Sequence, residues 1–207
     1  MNKINSEPVF KINNFFKNQK SPFVILICGV NGIGKTTLAF NLSSILNIKQ
    51  RIGLGVIVKT LIANSTRNNY QKMIKMDNVF SITTKELLKH EVIIRKTINL
   101  IISKYIKEQM ACIIEGLQLF ESYNNKNIIH FYIKISDKNK YKNQLESCST
   151  RSPRNLTKKD FDNIILIDDF INKRMSERNI YVLDNTLSET EMLNQALQNI
   201  VEHFNIE

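Results

Sequence analysis

The sequence predicts an α/β protein, with a parallel β-sheet covered by helices on both faces. Short runs of consecutive apolar residues alternate with longer stretches of helical periodicity along the chain. Consecutive apolar positions are typical of central parallel strands, which are buried on both faces. Three capping-box patterns mark helix starts, at Thr83–Glu86, Thr157–Asp160 and Ser188–Glu191. Strand–helix alternation of this kind indicates βαβ units.

The strands and helices are predicted in order from these signals. The first strand is the run FVILIC, Phe23–Cys28, which leads through a glycine-rich turn into a helix. Further strands are predicted at 48–52, 111–114, 127–135 and 180–183. Further helices are predicted at 83 to about 109, 137–148, 157 to about 177, and from 188 onward. Residues 54–62 have helical spacing, although GVIVK alone also fits a strand. Residues 64–77 are predicted to be irregular. Residues 1–22 are predicted to be an N-terminal extension, or a short helix packed on the domain, and one domain is predicted at 23–207.

Composition excludes several protein classes. With 43% hydrophobic and 23% charged residues, the chain has the make-up of an ordinary folded domain. Cys28 and Cys112 lie inside apolar runs and are interpreted as small buried hydrophobes, and no cysteine spacing suggests zinc or a disulfide framework. The first residues show no apolar core of a secretory signal, and no apolar run approaches the ~20 residues of a membrane span. We therefore expect a cytoplasmic protein with no membrane partner.

The net charge of +10 leaves two interpretations open. It favours an anionic partner, either nucleic acid or a polyanionic small molecule. The lysines are dispersed, however, with no basic run longer than a pair, and a scattered distribution is typical of a solvated surface. A nucleic-acid partner is therefore the less favoured interpretation.

A phosphate-binding loop is the most specific signal in the chain. Residues 29–36, GVNGIGKT, match the pattern G-x-x-x-x-G-K-[ST] and lie between an apolar strand and an amphipathic helix. In such a loop, backbone N–H groups surround the phosphates, the lysine contacts the β- and γ-phosphate oxygens, and the hydroxyl binds Mg²⁺. The predicted nucleotide-binding residues here are Gly29, Val30, Asn31, Gly32, Ile33, Gly34, Lys35, Thr36 and Thr37.

Carboxylate and basic residues elsewhere complete the candidate site. Glu115 follows the strand 111–114, where it could bind Mg²⁺ together with Thr36 or accept a proton from a substrate hydroxyl. A basic, proline-containing segment at 149–156 is predicted to be a lid whose Arg151 and Arg154 close over the triphosphate. Weaker candidates are Arg174 and Arg178 for the same role, and Lys59, Arg67 and Arg95 for an anionic acceptor. The pair Asp168–Asp169 is interpreted as a solvated helix edge, and the three histidines receive no role.

Four segments resemble P-loop kinases of the nucleoside and nucleotide kinase group: ILICGVNGIGKTTLA, IIEGLQLF, TRSPR and YVLDN. Within that group the chain is most similar to 2-phosphoglycerate-kinase-like proteins. The resemblance implies a three-layer P-loop NTPase fold with five parallel strands in the order 2-3-1-4-5, a small lid, and ATP with Mg²⁺. It implies a small acceptor with a hydroxyl or acidic group. It also implies nucleotide roles for Lys35 and Thr36, lid roles for Arg151 and Arg154, and a place for Asn185 near the base.

One departure from the group's pattern concerns the acceptor. Such kinases commonly carry an Asp just after the second strand, where this chain has Gly53 and Gly55. Either Glu115 serves as the base, or the acceptor differs from the usual one. The sequence thus predicts an ATP- and Mg²⁺-dependent phosphotransferase acting on a small molecule. The alternatives are a polynucleotide 5′-hydroxyl kinase and a nucleotide-dependent regulatory ATPase.

Overall fold

A computed structural model describes residues 3–19, 22–63, 82–147, 156–178 and 180–207. The described strands form one parallel sheet in the order β2-β3-β1-β4-β5. They are β1 (Val24–Cys28), β2 (Gln50–Gly53), β3 (Cys112–Glu115), β4 (Ile128–Lys134) and β5 (Tyr181–Asp184). The helices are α1 (Ser6–Gln19), α2 (Lys35–Ile45), α3 (Leu54–Ala63), α4 (Thr84–Lys107), α5 (Lys138–Glu146), α6 (Lys158–Met175) and α7 (Glu189–His203). The predicted fold class and strand order are confirmed.

Strand β1 lies at the centre of the sheet, and this explains its composition. It pairs with β3 on one side and with β4 on the other, and every one of its side chains is buried. A strand covered on both faces and both edges exposes no position where a polar residue would be hydrated, so the run VILIC is continuous. Because parallel strands end at the same edge, the loops after β1, β3 and β4 meet there.

Helices cover both faces of the sheet. Ile27 of β1 pairs with Glu115, whose side chain reaches α2, whereas the neighbouring Cys28 pairs with Tyr132, whose side chain reaches α6. Successive side chains of a strand point to opposite faces, so α2 and α6 lie on opposite sides of the sheet. Helices α1 and α2 both contact α7 and so belong to the same layer. None of the described helices is both long enough and apolar enough to cross a membrane.

The helix starts predicted from capping boxes are observed. Thr83, Thr157 and Ser188 each accept a hydrogen bond from the backbone N–H three residues later, and the carboxylate of that acidic residue accepts one from the backbone N–H of the cap residue. Both bonds are made between residues three positions apart, which is why the sequence pattern alone predicts them. Residues 54–63 are helical, which decides the ambiguity in GVIVK in favour of a helix.

The second strand is displaced from its predicted position. The apolar run predicts 48–52, but β2 spans Gln50–Gly53. The N–H of Ile48 donates to Ser43 O, so this buried residue closes the end of α2 and does not pair in the sheet. The irregular segment at 64–77, Arg67 within it, and the lid residues Arg151 and Arg154 lie outside the described residues.

The amino-terminal residues contribute a helix to the core. Phe16 of α1 stacks on Phe23 with ring centroids 3.7 Å apart, and its edge meets Phe204 at the end of α7. Ile12 of the same helix is fully buried. Aromatic contacts of this kind stabilise beyond the area that they bury. The predicted extension thus packs on α7 and on the chain that enters β1.

Candidate active site

The loop between β1 and α2 has the backbone conformation of a phosphate cradle. Gly29, Gly32 and Gly34 have φ angles of 151°, 84° and 109°, backbone conformations that residues other than glycine rarely adopt. A Cβ atom on Gly29 would lie 2.9 Å from Ile133 O, and one on Gly32 would lie 2.3 Å from Leu145 Cδ2. The glycines therefore serve both the curvature of the loop and its close packing on β4 and α5.

Lys35 and the start of α2 present positive charge to this loop. The Lys35 side chain is buried, and its Nζ donates to the Val30 carbonyl at 2.8 Å. Gly34 caps α2 without a side-chain hydrogen bond, so the cap residue provides no side-chain acceptor for the N–H groups of the first turn. A helix start of this kind is an anion site, since its N–H groups and the helix dipole both favour negative charge.

Thr36 and Glu115 meet across the sheet edge. The Thr36 hydroxyl donates to Glu115 Oε1 at 2.7 Å, although the two residues are 79 positions apart. A hydroxyl and a carboxylate are the hard oxygen ligands that Mg²⁺ prefers, and this ion normally keeps waters and phosphate oxygens in its shell. The described residues include no group of three His, Cys, Asp or Glu residues able to hold a metal. This pair therefore fits Mg²⁺ held jointly with nucleotide phosphates, and it does not fit an all-protein metal cage.

The junction of β2 and α3 lies beside Glu115. Gly53 pairs with Glu115 in the sheet, and a Cβ on Gly53 would lie 3.8 Å from Glu115 Oε1. Leu54 is fully buried and fills the space that a side chain on Gly116 would need, with atoms 2.7 Å from such a Cβ. Lys59 is exposed on α3. The Glu115 carboxylate is thus flanked by Thr36 on the side of the phosphate loop and by Gly53, which has no side chain, on the other side.

Asn185 supports the turn that begins α5. Its side chain is buried, and its Oδ1 accepts from the N–H groups of Ser136 and Asp137 at 2.8 and 2.9 Å. Its Nδ2 donates to Asp137 O at 2.9 Å. These three bonds use both acceptor positions and one of the two N–H donors of the amide, and they join the end of β5 to the start of α5. A contact between Asn185 and the nucleotide base stays a prediction.

Three arginines considered for substrate contacts converge on one carboxylate that the sequence did not single out. Glu121 binds Arg174 and Arg178 of the α6 region at 2.5 and 2.6 Å, and Arg95 of α4 lies 3.6 Å away. Arg95 also forms a two-bond pair with buried Glu91. Burial alone would raise the pKa of the Glu121 carboxyl, but the hydrogen bonds from Arg178 and Arg174 outweigh it and hold that pKa below its usual value. This cluster ties α4 and α6 to the chain after β3.

The interpretation of Asp168 as a solvated edge is wrong. Its side chain is 2% exposed, and it accepts hydrogen bonds from the Tyr132 hydroxyl at 2.7 Å and from the Ile135 N–H at 3.0 Å. Burial raises the pKa of this carboxyl to about 6, although those two hydrogen bonds oppose the rise. Asp169 is exposed, as predicted for the pair. Adjacent helix positions point about 100° apart, so one of the two can face the sheet.

The fold and the phosphate cradle together define the P-loop class. The structure is similar to a gluconokinase from Sinorhizobium meliloti, with a TM-score of 0.59 and 11% identity over 89% of this chain and 94% of that one. That likeness concerns the fold alone.

Curated relatives agree with the resemblance seen in the motifs. The chain is 25% identical to a 2-phosphoglycerate kinase from Methanococcus vannielii over 209 residues, and 25% identical to one from Methanococcus maripaludis over 210. Each match covers 90% of this chain, and the chain spans 66% of the length of those relatives. No family model matches the chain. These matches confirm that the chain resembles 2-phosphoglycerate-kinase-like P-loop proteins.

Proposed function

We propose that this chain is a phosphotransferase that uses ATP with Mg²⁺ and moves the γ-phosphate to a small-molecule acceptor carrying a hydroxyl or acidic group. The observation that carries the proposal is the hydrogen bond between Thr36 and Glu115 at the mouth of the phosphate loop. It brings a carboxylate from another strand to the residue that the loop pattern assigns to Mg²⁺. A glycine-rich turn that bound no nucleotide would not require a carboxylate from β3 beside it.

Each residue then has a chemical role. The N–H groups of the loop and the Lys35 ammonium hold the phosphates and stabilise the charge that develops as the phosphoryl group leaves. Mg²⁺, when bound, would neutralise charge on the β- and γ-phosphate oxygens, with Thr36 and Glu115 as its protein ligands. An acceptor oxygen forms a bond to the γ-phosphorus while the bond from that phosphorus to the bridging β,γ oxygen breaks, and ADP leaves. The acceptor proton passes to the Glu115 carboxylate. Arg151 and Arg154 are proposed to close from the lid.

The acceptor is proposed to be anionic. The relatives are named for 2-phosphoglycerate, and a net charge of +10 favours an acidic small molecule over a neutral one. Lys59 and Arg67 are the basic residues proposed to contact it. Gly53 lies beside Glu115 where the resemblance leads one to expect an Asp. Glu115 is therefore the proposed base, and 2-phosphoglycerate is the first acceptor to test.

A net charge of +10 also favours a polynucleotide acceptor, so a 5′-hydroxyl oligonucleotide is included among the acceptors tested. The test is ADP formation by the purified protein with Mg²⁺-ATP across 2-phosphoglycerate, other hydroxylated acids, nucleosides and such an oligonucleotide. We expect acceptor-dependent ADP formation and a phosphorylated product with one class of small acid. Turnover with the oligonucleotide alone would favour the polynucleotide kinase. ATP binding with no acceptor-dependent turnover would favour a regulatory ATPase.

A further inference from the structure

We propose that Tyr141 is a positioning residue for the phosphate loop, and that its hydroxyl holds the Asn31–Gly32 peptide with the Gly32 N–H turned toward the nucleotide phosphates. The proposal rests on the proposed function, because it assumes that the loop binds phosphates. Tyr141 lies on α5, a helix that no sequence motif connected with the nucleotide.

The contact is direct and buried. The Tyr141 hydroxyl donates to the carbonyl oxygen of Asn31, 110 positions earlier in the chain, at a distance of 2.5 Å. The Tyr141 side chain is fully buried, and its ring lies 6.1 Å from that of Phe161 on α6. A tyrosine packed in this way has little freedom to turn its hydroxyl elsewhere, so the carbonyl is held by a fixed donor.

The geometry of the peptide bond turns this contact into control of an N–H group. In a trans peptide the C=O and the following N–H point in opposite directions. Tethering the Asn31 carbonyl to α5 therefore directs the Gly32 N–H away from α5, which is the side proposed to face the phosphates. Gly32 has a φ of 84°, the left-handed conformation that lets successive N–H groups converge on one anion.

A second contact, one helical turn later, packs against Gly32. Leu145 occupies the position where a Cβ atom of Gly32 would lie, with Cδ2 only 2.3 Å from it. Residues four apart share one face of a helix, so Tyr141 and Leu145 contact the loop together. The start of α5 is itself held, because Lys140 Nζ donates to the carbonyls of Thr186 and Leu187. Helix α5 is thus hydrogen-bonded at its start and contacts the loop at two adjacent residues.

The test compares ligand affinities in two matched tyrosine variants. Tyr141→Phe removes one oxygen and keeps the packed ring. The control is Tyr105→Phe on α4, whose hydroxyl is 3.5 Å from Gln50 Oε1. ATP and tripolyphosphate, which share only the phosphates, are titrated with Mg²⁺ into wild type and both variants. We expect Tyr141→Phe to weaken both ligands by roughly fivefold to tenfold, the effect of losing one hydrogen bond. Tyr105→Phe should leave both affinities at the wild-type value.

Melting temperatures show whether the variants remain folded. Leu145→Ala is a second variant, which removes the contact with Gly32 and keeps the Tyr141 hydroxyl. It should also weaken both ligands. If wild type binds ATP and Tyr141→Phe binds both ligands within twofold of it, the inference is overturned and the proposed function stands, whatever the affinity of Leu145→Ala. A loss confined to ATP would locate the effect at the base and would also overturn it. If wild type binds neither ligand, the proposed function fails and the inference fails with it.

Discussion

Thr36 and Glu115 are joined by a 2.7 Å hydrogen bond between the first turn of α2 and the end of β3. The bond connects the two parts of the candidate site that come from different βαβ units. It places a negative charge beside the hydroxyl that the loop pattern assigns to Mg²⁺.

Glu115→Gln should raise the Mg²⁺ concentration needed for half-maximal activity and lower turnover by about 10²- to 10³-fold. Glutamine keeps the shape and can still accept from Thr36, but it lacks the charge that binds the ion and accepts a proton. Turnover is measured against Mg²⁺ concentration at saturating ATP. Glu108→Gln is the control, because Glu108 forms an exposed ion pair with Lys104 at the end of α4. Lower turnover with an unchanged Mg²⁺ requirement would leave Glu115 as a proton acceptor only, and unchanged values of both would remove it from the site.

Lys35→Ala should abolish phosphoryl transfer without unfolding the protein. We expect the rate of acceptor-dependent ADP formation to fall by about 10²-fold or more. The ammonium is the charge expected at the β- and γ-phosphates, and its contact with Val30 O stays within the loop. Acceptor-dependent ADP formation and thermal melting are measured together. Lys49→Ala, at an exposed lysine, is the matched control and should behave as wild type. Full activity in Lys35→Ala would show that the loop does not carry the reaction.

Gly116→Ala should destabilise the protein by about 1–3 kcal/mol, because its Cβ would lie 2.7 Å from Leu54 in a packed interior. Urea unfolding of the single variants and of Gly116→Ala with Leu54→Ala gives the coupling between the two positions. The double variant should lose less stability than the sum of the single changes, since the shorter side chain makes room. Gly55→Ala is the control, because within the described part of the chain nothing beyond its own helix backbone and chain neighbours lies within 4 Å of its added Cβ. Additive losses would show that the cost of Gly116→Ala does not come from a clash with Leu54.

Asp168 and His130 should give opposite pH dependences of stability. Burial raises the pKa of Asp168 to about 6. Its contribution to the free energy of unfolding is therefore fully present below pH ~4 and is lost as the pH rises through 6. Burial lowers the pKa of His130 to about 4, so its contribution is present above pH ~6.5 and is lost as pH falls through 4. Each shift corresponds to about 3 kcal/mol.

Single variants separate these two effects, which partly cancel in the wild type. Between pH 4 and 7 the free energy of unfolding of the wild type should fall relative to Asp168→Asn and rise relative to His130→Gln. Chemical unfolding across this range measures both differences. A difference that does not change with pH for either variant would contradict the assignment for that residue.

Much of the fold follows from signals between close neighbours in the chain. The run VILIC predicts a central strand because every side chain there must be buried, and the capping boxes predict helix starts because their bonds span three residues. The phosphate loop is recognisable for the same reason, since its glycines, Lys35 and Thr36 form one continuous segment. Strand order was predicted from resemblance to P-loop kinases and is observed in the sheet.

The sequence by itself determined the phosphate loop, the α/β class and the starts of three helices, because each depends on residues within one or two turns of one another. Only the tertiary structure decided that Tyr141 supports Asn31, that Asp168 is buried under Tyr132, and that Arg174 binds Glu121. These pairs are 36 to 110 positions apart. Their contacts depend on which faces of the helices meet the sheet, and a single side chain carries no local signal of its distant partner.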